Sequence, residues 1–203
     1  MSDAVAEYRR RHGAFLPDVA RRLEVLVREC LGNVQRVDRV TARAKDPSRF
    51  AAKAAKLNDD GTPMYPAPLT EMQDLLGVRV VVFYKDDVGR IDDAIQVYLR
   101  PIEHQNIVPD DESKFGYFGC HLILPVPRDV IPEDVPVDEV PRFFELQIKT
   151  LFQHAWSEAD HDLGYKAPTA LSREQQRRIA FTAAQAWGAD EVFEQLRGEL
   201  LVN

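Results

Sequence analysis

Residues Phe143-Phe144-Glu145-Leu146-Gln147-Ile148-Lys149-Thr150 alternate like a strand, with Phe144, Leu146 and Ile148 pointing one way and Glu145, Gln147 and Lys149 the other. An acid, an amide and a base on one strand face is not a usual core pattern. From Thr150 the period turns helical. Thr150 is a candidate N-cap, Leu151, Ala155 and Ala159 share one side, and Gly164 is a candidate stop. A polar strand end beside a helix N-terminus is a setting that suits anionic ligands.

Working outward, Val78–Tyr84 is an apolar strand interrupted by Arg79, and a guanidinium there needs a partner or a ligand because burying it bare is costly. Asp74, five residues earlier, is a candidate partner or metal ligand. Leu69–Gly77 reads as a short helix, Asp86–Tyr98 as an amphipathic one, and residues 58–69 as a loop rich in proline and aspartate. Val34–Arg43 favours a strand through its β-branched content, and Arg49, Lys53 and Lys56 would share one face of a helix starting near Pro47. A weaker strand is expected at Ile102–Val108 and a further strand at Leu122–Val126. Residues 3–31 read as an amphipathic helix that Pro17 kinks or splits, and 171–200 as a last helix or helix pair.

Composition sets the frame. The chain has 203 residues, 45% of them hydrophobic, and a formal net charge of −7. That acidity argues against a protein that coats nucleic acid, although a local basic pocket is compatible with it. Cys30 and Cys120 match no zinc or redox spacing, so a reduced setting is expected. No stretch reads as a signal peptide or as a span across a bilayer, and the expected location is cytoplasmic. Three strands bring polar groups together: Arg79 with Asp74, Tyr117 with His121, and Glu145 with Gln147. Two carboxylates with nearby cations suit a magnesium ion and a polyphosphate, and hence nucleotidyl or pyrophosphoryl transfer.

Five motifs then occur in order over about residues 34–170: Arg43-x-Lys45 with Lys53; Asp74-x-x-Gly77-x-Arg79; Phe115-Gly116-Tyr117-x-x-x-His121; Glu145-x-Gln147-x-x-Thr150; and Trp156-x-x-x-Asp160-His161-x-x-x-Tyr165-Lys166. In these the chain resembles the RelA/SpoT-type synthetase domain, the pyrophosphokinase of alarmone metabolism, and in particular its small stand-alone members. The resemblance implies an α+β fold with a mixed sheet of about five strands flanked by helices, nucleotidyltransferase-like. It divides the chain into an N-terminal helical segment (1–32), a synthetase core (33–170) and a C-terminal helical segment (171–203). It implies that Asp74 and Glu145 are the catalytic and magnesium-binding carboxylates, with Glu145 also assisting deprotonation of the acceptor 3′-hydroxyl. Arg43 and Arg79 would sandwich the adenine of ATP, and Lys45 and Lys53 would hold its phosphates. On the acceptor side it implies Tyr117 as the stacking aromatic, with Lys114, His121 and Gln147 beside it, and Trp156, His161, Tyr165 and Lys166 as supporting wall.

The implied reaction moves the β,γ-pyrophosphate of ATP to the 3′-hydroxyl of GDP or GTP, with Mg²⁺ as cofactor. Two other readings stay open: transfer to the 3′-CCA end of tRNA, as in toxic small relatives, for which an antitoxin protein would be a further partner, and a catalytically inactive regulatory module. A homo-oligomer built through the C-terminal helices is a further expectation. The chain departs from the family pattern at Lys149, Gly119 and Arg49, and Asp110, Asp111 and Glu112 would weaken binding of a polyphosphate by like-charge repulsion. On residue types alone, Tyr117 and Trp156 also read as core aromatics, and for Trp156 that role is the better reading. His154 and His161 lack a third zinc ligand, and His161-Asp162 lacks the rest of a hydrolase metal motif.

Overall fold

The computed structural model describes residues 2–107, 115–116, 119–166 and 171–201. Its strands are β1 (Val37–Ala44), β2 (Leu76–Val82), β3 (Glu103–Ile107), β4 (Gly119–Pro125) and β5 (Phe143–Thr150). They form a five-stranded sheet in the order β1-β2-β5-β4-β3, in which β2 and β5 run parallel and every other pair antiparallel. The fold is the mixed α+β sheet flanked by helices that the sequence motifs implied.

Alternation gives the sheet two unlike faces. Val40, Val78, Val80, Leu122, Leu124, Phe144, Leu146 and Ile148 are buried on one face, in the hydrophobic core shared with the helices α1 (Ser2–Ala14), α2 (Leu16–Leu31) and α5 (Lys85–Tyr98). The odd-numbered residues of the central strands make the other face, and the register sets them in rows. Arg43 lies opposite Gly77, Gly77 opposite Glu145, and Glu145 opposite Ile123; one step on, Arg79 lies opposite Gln147, and Gln147 opposite His121. The expected division of Phe143–Thr150 is therefore observed, and it extends across three further strands. Burying the apolar side chains of one face supplies the driving force, at about 25 cal/mol per Å², and leaves the opposite face available for polar groups.

Pro17 splits the first helical region rather than kinking it. A break at Phe15 separates α1 from α2, and the proline sits in the first turn of α2, where its missing N–H costs nothing. α1 is part of the core. Its Tyr8 is fully buried, stacks on Phe50 at 4.1 Å and donates its hydroxyl to the carbonyl of Lys45 at 2.7 Å. Phe50 belongs to α3 (Pro47–Ala54), which Asp46 caps by accepting from the backbone N–H groups of Ser48 and Arg49. α3 ends before Lys56, so that residue does not extend the basic face expected for this helix. Leu69–Gly77 is not one helix either. The helix α4 covers only Pro68–Glu71, and β2 already begins at Leu76, because Leu75 and Leu76 are drawn into the core.

Thr150 ends β5 and caps α6 (Leu151–Lys166), as its position predicts. Its Oγ1 accepts from the N–H of Gln153 at 3.1 Å, while the Gln153 side chain accepts from the N–H of Thr150 at 3.0 Å. This reciprocal cap fixes the angle at which the helix leaves the sheet. α6 continues through Gly164 to Lys166, so the expected stop is not used. The C-terminal segment is one helix, α7 (Arg173–Leu201), rather than a pair. It is held to α6 by Phe193 stacked on Phe152 at 5.6 Å and by the indole of Trp156, which donates to Thr182 at 3.2 Å. Trp156 is thus a packing residue between helices. Among the described residues, no helix is long and apolar enough to cross a membrane.

Candidate active site

Three neighbouring segments supply the charged centre. Asp74 lies in the short approach to β2, Lys45 immediately follows β1, and Lys53 stands on α3. Both ammonium groups lie 2.9 Å from Oδ2 of Asp74. The backbone N–H of Lys45 donates to the carbonyl of Leu75 at 2.9 Å, which ties the two segments together. Burial alone would raise the Asp74 carboxyl, but the hydrogen bonds and charges of Lys45 and Lys53 outweigh it and hold the group below the ordinary carboxylate range. The second oxygen, Oδ1, is buried and accepts no hydrogen bond. Buried oxygens of this kind call for an explanation, and a cation is one of the few available.

Glu145 projects from β5 onto the polar face. Its Oε1 accepts from Nδ1 of His121 and its Oε2 from the amide of Gln147, at 2.9 and 2.8 Å. Burial and the charge of Asp74 push the Glu145 carboxyl up; the bonds from His121 and Gln147 outweigh them and keep it below the ordinary range. Gly77, three residues after Asp74, lies opposite Glu145, so the two carboxylates belong to neighbouring strand ends. The pairing of Asp74 with Arg79 that their spacing allowed is not formed. Asp74 is held by the two lysines instead, because the residues leading into β2 turn its side chain towards β1 and α3.

Arg79 turns the other way, towards α6. Its Nη1 donates to Oε1 of Glu158 at 2.7 Å and lies 3.4 Å from Nδ1 of His154, while its Nε is buried with no partner. Arg43, in the adjacent row, is shifted down by burial first and then by the positive charges of Arg79 and Arg49. Two guanidiniums held near each other on one sheet face are suited to gripping a flat ring or an anion between them. Lys149 lies deeper on the same face, where burial and then Arg79 push its ammonium down to about 8. Its Nζ is 3.3 Å from Oγ of Ser157.

The structure therefore brings together Arg43, Lys45, Lys53, Asp74, Arg79, His121, Glu145 and Gln147. Lys114 and Tyr117 lie outside the described residues, as do the side chains of Tyr165 and Lys166. Sequence reasoning missed Glu158, the partner of Arg79. The available signal was the spacing on α6, since Glu158 follows His154 by four residues and so shares its face. It also missed Tyr8, whose hydroxyl supports Lys45 from a helix that reads as an appendage.

A magnesium ion fits this donor set. Asp74 has an oxygen to spare, Glu145 stands on the strand beside the one that Asp74 leads into, and hard carboxylate oxygens suit that ion.

Comparison with known proteins bears on the same region. The chain is 22% identical over 166 residues to the GTP pyrophosphokinase YjbM of Bacillus subtilis (strain 168), covering 81% of this chain and 74% of that protein. The crystal structure of small alarmone synthetase 1 from Bacillus subtilis superposes with a TM-score of 0.72 at 21% identity, over 97% of this chain and 95% of the other. A GTP pyrophosphokinase family protein from Streptococcus pneumoniae gives 0.71 at 22%, over 98% and 93%. Structures of the Bacillus subtilis synthetase 1 have been solved with its product pppGpp and with AMPCPP. Residues 42–170 match the region found in RelA/SpoT proteins, more than half of the chain, which contains every described site residue, and the chain belongs to that family.

Proposed function

We propose that this protein is an ATP-dependent pyrophosphotransferase that uses the 3′-hydroxyl of GDP or GTP as acceptor and yields ppGpp or pppGpp with AMP. The observation that carries the reading is the pair of carboxylates: Asp74, just ahead of β2, with a spare buried oxygen beside two lysines, and Glu145, on the polar sheet face, held between His121 and Gln147. A relative is named a GTP pyrophosphokinase, and a solved neighbour binds pppGpp, which supports the same acceptor class.

In this reading Lys45 and Lys53 exchange part of their contact with Asp74 for the phosphates of ATP, and Arg43 and Arg79 flank its base. Asp74 and Glu145 would hold Mg²⁺, whose contribution is to neutralise charge on the phosphates. Glu145, which the bonds from His121 and Gln147 keep ionised, accepts the proton of the acceptor 3′-hydroxyl. The acceptor oxygen forms a bond to the β-phosphorus, the bond from that phosphorus to the α,β-bridging oxygen breaks, and AMP departs. Catalysis of this type is mostly positioning and charge stabilisation, matching a site made of fixed cations and carboxylates.

The test is transfer from γ-³²P-labelled ATP with magnesium, offered GDP, GTP and bulk tRNA in parallel. Label on GDP or GTP supports the proposal. Label on tRNA alone would replace it with a translation-blocking activity, and label on no acceptor would favour an inactive regulatory module.

A further inference from the structure

On the opposite, core-facing side of the sheet, three metal-ligating side chains from three elements converge. Cys120 of β4 and His104 of β3 are diagonal neighbours, because Cys120 pairs with Asn106, two residues beyond His104 on the same face. Asp92 comes from α5, which packs over that face. Nε2 of His104 lies 3.0 Å from Oδ2 of Asp92 and 3.5 Å from Sγ of Cys120, and all three ligand atoms lie within 4.8 Å of one another.

A carboxylate oxygen, an imidazole nitrogen and a sulfur all carry lone pairs. Nε2 holds at most one proton, and that proton cannot serve both the oxygen and the sulfur. A single cation among the three would satisfy them together. With zinc–ligand bonds of about 2.3 Å to sulfur and about 2.0 Å to nitrogen or oxygen, tetrahedral geometry sets S···N at about 3.5 Å and N···O at about 3.3 Å. The observed separations are close to these. The amide of Gln96, one turn along α5, donates to the other Asp92 oxygen at 2.8 Å and so orients the carboxylate, as supporting groups at metal sites do. Cys120 is 3% exposed, whereas the His104 side chain is 40% exposed, so an ion can enter along the imidazole edge.

We propose that Asp92, His104 and Cys120 form a zinc site that clamps α5 to the β3–β4 edge of the sheet, with the fourth position open to solvent. The thiolate selects a softer ion than magnesium, which separates this site chemically from the carboxylates on the other face. On binding, the Cys120 thiol loses its proton to solvent, and burial, which pushes that thiol up to about 12 in the free protein, is offset by the metal charge.

The test reads thiolate coordination directly. The full-length protein, dialysed against micromolar zinc and then metal-free buffer, should retain about one zinc per chain. Replacing zinc by cobalt should produce a thiolate-to-cobalt charge-transfer absorption. Both signals should persist in Cys30→Ser, whose thiol lies on α2, and vanish in Cys120→Ser and Asp92→Asn. His104→Ala, at an exposed position, carries the same test should a buried substitution impair folding. Zinc retained at less than about a tenth of an equivalent, a cobalt spectrum without the thiolate band, or a band that survives Cys120→Ser would overturn the proposal.

Discussion

Nζ of Lys53 lies 2.9 Å from Oδ2 of Asp74, the same oxygen that Lys45 approaches, while Oδ1 of that carboxylate is buried without a donor. One oxygen of the group is thus committed to cations that the protein supplies, and the other has no partner within the protein. Asp74→Asn keeps the volume and removes the charge. It should lower pyrophosphate transfer by about a thousandfold, with the circular dichroism spectrum unchanged. Turnover within tenfold of the parent would rule out Asp74 as the metal carboxylate.

Glu145 stays ionised because His121 and Gln147 both hydrogen-bond it against the effect of burial. Gln147→Leu removes one donor at nearly constant volume, so the Glu145 pKa should rise. The acid limb of the kcat/KM profile should then move to higher pH by about one pH unit. A pH series in the parent and the variant checks this, and coincident acid limbs would dissociate Glu145 from proton transfer.

Arg79 is held by Glu158 at 2.7 Å, with burial raising and the Arg79 charge lowering the Glu158 carboxyl to a net position below the ordinary range. If Arg79 flanks the donor base, Glu158 is a positioning residue. Glu158→Gln should raise KM for ATP about threefold to tenfold with kcat within about twofold, and Glu158→Asp should recover part of the loss. A fall in kcat at constant KM would instead place the Arg79–Glu158 pair in the chemical step.

Asp190 gives a stability prediction away from the chemistry. It is 2% exposed on α7 and accepts from the Thr150 hydroxyl at 2.8 Å, yet its Oδ1 has no partner. Burial pushes it up to about 6 despite that bond. A raised folded-state pKa contributes stability that is complete below the unfolded value near 3.8 and is lost as pH rises through 6. The parent should therefore lose up to about 3 kcal/mol relative to Asp190→Asn between pH 4 and pH 7. Urea unfolding at the two pH values reads it directly, and parallel stability curves would refute the assignment.

Much of the site was legible because it is written in a period of two. Glu145 and Gln147 share one face by alternation, and Arg79 stands out as a charge in an apolar strand. Arg43 and His121 were named through the family motifs, and the register that sets them beside the others is visible only in the structure. Asp74 was harder: its partner depends on where helix α4 ends, and the burial of Leu75 and Leu76 cut that helix short, turning the carboxylate to Lys45 and Lys53 instead of Arg79. Glu158 and Tyr8 were not found, since each acts through a contact between elements far apart in sequence. The Asp92–His104–Cys120 cluster was invisible to spacing rules for the same reason, because its ligands come from a helix and two strands rather than from one motif.

The alternation of the central strands has a genetic consequence. Their even-numbered positions carry the hydrophobic core and their odd-numbered ones most of the polar site, so point substitutions on the odd face can retune what the protein binds with little change in stability. Deleting or inserting a single residue within β2 or β5 would do the reverse, exchanging the two faces at once and losing fold and chemistry together. Length variation in descendants of this chain should therefore collect between the strands, and new specificities should arise by substitution along them.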